Sequence, residues 1–596
     1  MPLTHTEMAI TGLLRPWQSV RLGWSVAALA LLAGVPLFVC MPPWTDATLY
    51  DVAARNILRG GVHYRDVFDT NLPGMVWATA AIRSIAGWSC EALRIADLLI
   101  IGGSVAVLVF WLKRTGTGVR SAPAGSTVPP ETSAAAQSWF VAAVALFYPF
   151  TSEFNHCQRD PWMLLPAALA GLLRLRHVEA IRAGARASLR RSTIEGFLWG
   201  LAVWLKPHVV VPAAFVWLVS VRLARKDSIR DLLGLLAGGL LCGVPGIVWL
   251  VASGTWPHFW DIFANWNPEY LREGVWNEIP QKFLYLFWCF QPWGLVHFAA
   301  LPLAVWSLFP NRASDGVAAP SLARPANARP LLAALYLGWV AQAVILQKGF
   351  DYVQVPPMLL ALAVLASRGW CVGFPFAVWY AVLGAACLVP SIQDEIRAFN
   401  ATSPIVQIDR HPLTNPRMVR LWPRCWSERG SAELRNELGQ YTHVHCAANW
   451  VELEAVAQFL RTVEPPIRDR ELTCWHDSTH PLYLMLDVEP STRYMHFGTV
   501  FALRGKVEGI RVEVAGSPQR YAVSDMRRMT YQLGKAYAPG ERGPLSLPDW
   551  FPSSARDRYP WNQPIAFRSG RYFVHRIDRR PKPDEIDIPD WSNLKD

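Results

Sequence analysis

Leu22-Gly23-Trp24-Ser25-Val26-Ala27-Ala28-Leu29-Ala30-Leu31-Leu32-Ala33-Gly34-Val35-Pro36-Leu37-Phe38-Val39-Cys40 carries no charged side chain. A helix rises about 1.5 Å per residue, so about twenty such residues cross a bilayer core of about 30 Å, where no water satisfies an unpaired backbone group. Long apolar runs recur at 95–112, 232–252, 283–309, 331–346 and 371–390. Shorter runs at 139–150, 162–173 and 353–366, with a divided pair around Lys206, bring the expected number of transmembrane helices to about eleven. Composition agrees: the 596 residues are 52% hydrophobic and only 17% charged, with 29 Trp and 26 Phe, away from the soluble balance. The long charge-free runs stop at Pro390, and 391–596 carries charges every few positions. The fold class expected is an α-helical polytopic membrane domain over 1–390, with external juxtamembrane helices, and an extracytoplasmic soluble α/β domain over 391–596.

Lys and Arg in short loops stay on the cytoplasmic side of a membrane. Here they collect at Arg15 and Arg21, at Lys113, Arg114 and Arg120, at 174–191, at 222–230, and at Arg312, Arg324, Arg329 and Arg368. All of these fall on one side if the N-terminus is cytoplasmic and two short spans flank Lys206. An odd number of spans then places 391–596 outside, as expected for a multi-pass protein of a cytoplasmic (inner) membrane. The net charge of +11 follows largely from this topology, so nucleic-acid binding is not inferred. Met41-Pro42-Pro43-Trp44 is a poor cleavage site, so 22–40 reads as an uncleaved anchor. The ten Cys show no CxxC pair and no metal-type spacing. Cys425, Cys446 and Cys474 in the outer domain permit one disulfide and one spare thiol. The Pro/Ala/Ser-rich stretches 121–132 and 313–329 read as linkers.

The segment between the first two spans is long for a structureless connection, so it has its own structure or function. In Trp44-Thr45-Asp46-Ala47-Thr48-Leu49-Tyr50-Asp51-Val52-Ala53-Ala54-Arg55-Asn56-Ile57-Leu58-Arg59-Gly60, Leu49, Ala53 and Ile57 recur at helical spacing. Thr45 or Asp46 can cap this surface helix and Gly60 can end it. Asp51 lies four residues before Arg55, as in a surface ion pair. Asp46 lacks such a partner and has two open readings: a helix N-cap, or a carboxylate that takes a proton from an acceptor hydroxyl.

With Gly60-Gly61-Val62-His63-Tyr64-Arg65-Asp66-Val67-Phe68-Asp69-Thr70-Asn71-Leu72-Pro73-Gly74 added, the loop resembles the first external loop of bacterial GT-C integral-membrane glycosyltransferases, the group of protein O-mannosyltransferases and aminoarabinose transferases. Asp46, Tyr50, Tyr64, Asp66, Asp69 and Pro73 carry that resemblance. Three later elements are also similar: Arg159-Asp160-Pro161, Lys206-Pro207-His208, and Gln347-Lys348-Gly349-Phe350-Asp351-Tyr352 with Pro356. The resemblance covers roughly 20–390. It implies transfer of a sugar from a polyprenyl-phosphate donor lipid to an extracytoplasmic glycan, lipid or protein acceptor, with inversion. In it Asp46 matches the presumed base and Asp160 a second acid near the same site. Ala47 stands where many relatives have another acid, which weakens the case for a tightly held divalent metal; such a metal remains possible and no other cofactor is implied.

Lys206, Lys348 and Arg159 are the candidate cations for the donor phosphate, whose charge grows as the glycosidic bond breaks. A lysine at the edge of an apolar span either faces a cavity with a partner or snorkels to the headgroups. His297 and His208 read as packed histidines. Trp256, Trp260, Trp266 and Trp276 read as interface anchors or as stacking surfaces for sugar or carrier. In the outer domain, strands are expected at 442–447, 471–475, 511–514, 520–523 and 572–577 and a helix at 451–463. Two rival classes stay open: a transporter or flippase of an envelope glycolipid, which would favour paired repeats and broken midplane helices, and a non-catalytic envelope assembly protein.

Overall fold

The structure is a computed structural model that describes residues 16–115, 131–272, 278–309, 327–387, 389–392, 394–395, 416–439, 447–527 and 545–587. The chain forms two compact units that interleave along the sequence: Met1–Val39, Arg94–Gly246 and Gly274–Ser427 in one, and Cys40–Leu93, Ile247–Glu273 and Glu428–Asp596 in the other.

The first unit is helical. Val20–Cys40, Cys90–Thr115, Ser228–Ala252 and Ala328–Ile345 are each long and apolar enough to cross a membrane. Ala134–Phe150, Pro207–Leu223, Asp351–Ser367 and Gly373–Ala386 are shorter apolar helices at further expected positions. The run 283–309, expected as one span, is instead a pair, Ile279–Trp288 and Trp293–Ser307, bent by 112°. Pro292 explains the break, because it brings no N–H and disfavours helix at Gln291 before it. Along Ser228–Ala252 the side chains of Leu233, Leu236, Leu240, Leu241 and Val244 are exposed, as lipid-facing residues should be. Val355–Ser367 is the opposite case, buried at every position, and with Ala328–Ile345 it forms the centre of the unit. Leu189–Leu205 and Ser228–Ala252 approach backbone to backbone: a Cβ on Gly196 would overlap the Leu235 carbonyl, and one on Gly238 the Thr193 carbonyl.

The second unit contains two first-loop helices, Thr45–Leu58 and Gly74–Ala86, and a four-stranded sheet. Its order is β1 (Leu472–Cys474), β2 (Tyr521–Asp525), β4 (Tyr572–Arg576), β3 (Ile565–Ser569). β1 and β2 are parallel; β2–β4 and β3–β4 are antiparallel. The expected helix appears as Trp450–Thr462, capped by the Asn449 side chain, and Phe459 stacks on Phe567 of β3 at 4.6 Å. Residues 511–514, expected as a strand, lie in the helix Val507–Gly516. Arg-Val-Glu-Val alternates like a strand, but the buried pair is Ile510 and Val514, four apart, while Val512 is 56% exposed. β3 was not expected, and 442–446 lies outside the described residues. Cys425 and Cys474 are buried free thiols, and Cys446 is outside the described residues.

Candidate functional site

Within the first unit, Pro207 stops the helix Leu189–Leu205 and leaves Lys206 extended, at φ −159° and ψ 120°. A short 3-10 turn, Pro207–Val209, leads into Val210–Leu223. At this break the Lys206 Nζ lies 2.7 Å from Asp160 Oδ2 and also donates to Gln347 Oε1. The Tyr352 ring centroid is 5.8 Å from the ammonium. Lys206 is 8% exposed and Asp160 not at all, so the lysine is a buried, paired cation and does not snorkel. A charge so far from water is tolerated only with a close counter-ion and further hydrogen bonds, which the carboxylate and the amide supply.

Asp160 is not a helix cap, because Gln158 holds the N-cap position. Arg159–Arg182 starts after Gln158, and Asp160 sits in its first turn, where the helix dipole favours a carboxylate. Asp160 Oδ1 has no hydrogen-bond partner among the described residues. Arg159 beside it is 7% exposed. Lys348, half-buried, follows Gln347 directly, and the third element contributes two residues to the Lys206 cluster, Gln347 and Tyr352. Gln347 and Tyr352 stand inside the quoted element, yet only its lysine drew attention as a candidate.

The loop that carries Asp160 is fixed from behind by Asp97. This buried carboxylate accepts from the Tyr148 hydroxyl at 2.7 Å, the Trp162 indole at 2.5 Å and the Cys157 N–H at 3.1 Å, and Cys157 holds φ +56°. Arg94 Nη1 lies 2.5 Å from His156 Nδ1 in the same loop. Sequence reasoning missed Asp97 although the signal was present: it is an acid inside the apolar run 95–112. His297 is packed as expected, with Nδ1 2.7 Å from the Tyr336 hydroxyl.

Within the second unit, Asp46 lies in the first turn of Thr45–Leu58, behind Trp44 at the N-cap position, so neither Thr45 nor Asp46 is the cap. Asp46 does have a neighbour: His496 Nε2 is 3.9 Å from its Oδ1. The other ring nitrogen of His496 lies 3.4 Å from Asp477 Oδ2, and His480 Nε2 is 3.9 Å from Asp477 Oδ1. Burial works against a charge on His496, but Asp477, Asp46 and Asp69 outweigh it and hold its pKa up at about 9. Burial pushes His480 down to about 3. One ligand atom each from Asp477, His480 and His496 lies within 4.8 Å of the others, so these three residues could hold a divalent metal. One carboxylate and two imidazoles are a donor set suited to zinc. The sequence reading assigns no metal ligand; the available signal was His476-Asp477-Ser478-Thr479-His480, but His496 joins it only in the fold.

Asp51 corrects another expectation. Its partner is Arg83, in a buried two-pronged pair at 2.7 and 2.6 Å, and not Arg55. Burial raises its pKa against the pull of Arg83. Arg55 instead reaches Asp487 at 3.1 Å and the carbonyls of Tyr483 and Val488 at 2.9 and 2.6 Å. The remaining first-loop residues shape the loop. Tyr50 is buried. Tyr64, at φ +66°, donates to the Asn71 carbonyl at 2.6 Å. Asp66 accepts the Val62 N–H and pairs with Arg65 and Arg470, while Asp69 accepts from the Asn71 N–H and side-chain amide. Pro73 occupies the N-cap position of Gly74–Ala86. Trp256 stacks on Trp260 at 6.0 Å, Trp266 packs on Phe68 at 4.7 Å, and Trp276 lies outside the described residues.

These features define a mostly helical, multi-pass membrane protein with several apolar spans and a small mixed sheet built from its C-terminal residues. Its fold is ArnT-like. The crystal structure of ArnT from Cupriavidus metallidurans bound to undecaprenyl phosphate matches with a TM-score of 0.50 at 12% identity, over 92% of this chain and 97% of that chain. The apo-state crystal structure of the same ArnT matches with a TM-score of 0.48 at 14% identity, over 95% and 98%. The resemblance read from the loop motifs is thus met at the level of the fold. No family model matches the chain, and no curated protein matches it by sequence.

Proposed function

We propose that the protein is a membrane glycosyltransferase that moves a sugar from a polyprenyl-phosphate carrier to an extracytoplasmic acceptor, with inversion. One observation carries the reading: Lys206 is paired with Asp160 at a break between two apolar helices, in a fold shared with a protein crystallised with undecaprenyl phosphate. In this proposal Lys206, Lys348 and Arg159 hold the donor phosphate, and Asp160 and Gln347 set the position of the Lys206 ammonium. The acceptor oxygen attacks the anomeric carbon as the carbon–oxygen bond to phosphate breaks. The electron pair leaves with polyprenyl phosphate, and the acceptor proton passes to Asp46. One base suffices for such a single displacement. Exclusion of water keeps the donor from hydrolysis.

Mass spectrometry of carrier lipids and envelope glycans from a deletion strain tests the class of reaction. A lipid-linked sugar should accumulate while one glycan decoration disappears; if both pools stay unchanged, the reading fails. Asp46→Asn tests the base, because it keeps size and hydrogen bonding and removes basicity. General-base catalysis contributes roughly a hundredfold to ten-thousandfold, so turnover should fall by at least the lower figure with donor affinity unchanged. Wild-type turnover in the purified variant would move the base to another carboxylate.

A further inference from the structure

The first unit contains a cavity of about 720 Å³ that the transferase reading does not use. Its wall includes Trp17, Leu295, Ala299, Phe374, Trp370 and Trp379. None of its lining residues is charged. Trp17, Leu295, Trp370 and Trp379 are 41%, 50%, 49% and 45% exposed, so the cavity is open at its side and edged by indoles. Trp17 packs edge-on to Phe374 at 6.0 Å. The volume lies in the roughly 300–1,000 Å³ range of sites that enclose a small organic ligand. Exposed indoles at the end of an apolar helical bundle are the side chains found at the level of lipid headgroups.

Arg368 adjoins the lining residue Gly369 in the chain without lining the cavity itself. Leu365 and Gly369 line it, and between them in sequence stands Arg368, whose Nη2 donates to Ser307 Oγ at 2.6 Å and whose Nε has no hydrogen-bond partner among the described residues. Arg329 is held to the same turn by a 3.0 Å bond from Nε to the Ser367 carbonyl. Neither arginine has a carboxylate partner among the described residues, whereas Arg174 and Lys206 of the same unit are both paired. Two arginines that meet no carboxylate among the described residues, beside an indole-edged apolar cavity, match a molecule with a fatty chain and an anionic head. In a bilayer the abundant molecule of that kind is an anionic glycerophospholipid. Arginine suits the headgroup because its planar fork binds phosphate oxygens in pairs.

We propose that this cavity binds one anionic glycerophospholipid from the leaflet on the side of the basic loops, with an acyl chain against Trp17, Trp370 and Trp379 and the phosphate on Arg329 and Arg368. A basic residue near an anionic leaflet is worth roughly fivefold in binding, so losing both should weaken retention by roughly twentyfold or more.

Native mass spectrometry of the full chain, delipidated in detergent and titrated with phosphatidylglycerol or phosphatidylcholine, tests the site. The wild type should retain one phosphatidylglycerol in preference to phosphatidylcholine. Arg329→Gln with Arg368→Gln should abolish that preference, and Ala299→Trp, which fills the cavity, should lower retention of both lipids. Arg225→Gln, an exposed arginine elsewhere in the basic loops, should change nothing. Equal retention of the two lipids by the wild type would overturn the proposal. So would an equal loss of preference in the Arg225→Gln control. Displacement of the retained phosphatidylglycerol by undecaprenyl phosphate, with no displacement by further phosphatidylglycerol, would assign the cavity to the carrier and overturn it as well.

Discussion

Lys206 and Asp160 are informative as a pair because removing one is not the same experiment as removing both. Lys206→Met leaves a fully buried carboxylate without its counter-ion, and breaking a buried pair from one side costs about 3–5 kcal/mol. Lys206→Met combined with Asp160→Leu removes both charges and should recover most of that stability in thermal unfolding. Donor binding should be weak in the single and the double variant alike; a double variant with wild-type donor affinity would make the pair purely structural. At Asp477, His480 and His496 the expected outcome concerns protons. His480 is neutral at pH 7, but His496, with its pKa held at about 9, carries a proton that a metal ion must displace. Zinc binding should therefore release about one proton at pH 7, and apparent affinity should rise roughly tenfold per pH unit up to about pH 9, flattening above it. Calorimetry in buffers of different ionisation enthalpy reads the proton directly. A pH-independent affinity, or His480→Ala with undiminished zinc, would remove the cluster from consideration.

At the scale of the element, the first-loop helix Thr45–Leu58 was legible because Leu49, Ala53 and Ile57 repeat at its period. Its partners were not. Sequence spacing pointed Asp51 at Arg55, a surface pair worth under about 1 kcal/mol. The fold turns Asp51 inward onto Arg83 of the neighbouring helix Gly74–Ala86, with both side chains buried. Arg83→Met should consequently destabilise the second unit by about 3–5 kcal/mol, a value set by the stranded Asp51 carboxylate. Urea unfolding followed by tryptophan fluorescence measures it, and a loss below about 1 kcal/mol would return Asp51 to the surface-pair reading. The same limit explains 511–514. An alternating apolar pattern fits a strand, and only the packing of Ile510 and Val514 on one face selects the helix. It explains the bent pair at Pro292 too: mean apolarity finds a membrane segment but does not report where its backbone turns.

At the scale of the whole molecule, the expected topology places the N-terminus and the 174–191 loop in the cytoplasm and 391–596 outside. Alkaline phosphatase fused after Pro390 should be active, and a cytoplasmic reporter there silent; the reverse pattern would sink the orientation. Membrane class and helical architecture could be read from the sequence alone, and the likeness of fold anticipated from the loop motifs is met by the ArnT match. Each rests on properties local to a stretch of chain: the length of an apolar run, the period of a helix, the break a Lys-Pro step must make. Which polar groups share a buried space was decided by tertiary structure. Gln347 meets Lys206 across 141 positions, and Asp97 reaches the Trp162 indole across 65. The interleaving of the two compact units is likewise non-local, with 40–93 and 247–273 grouped with the C-terminal residues. The physical reason is that burying a charge or a polar group creates a demand for a partner, and sequence shows the demand. Only the packed chain shows which residue meets it.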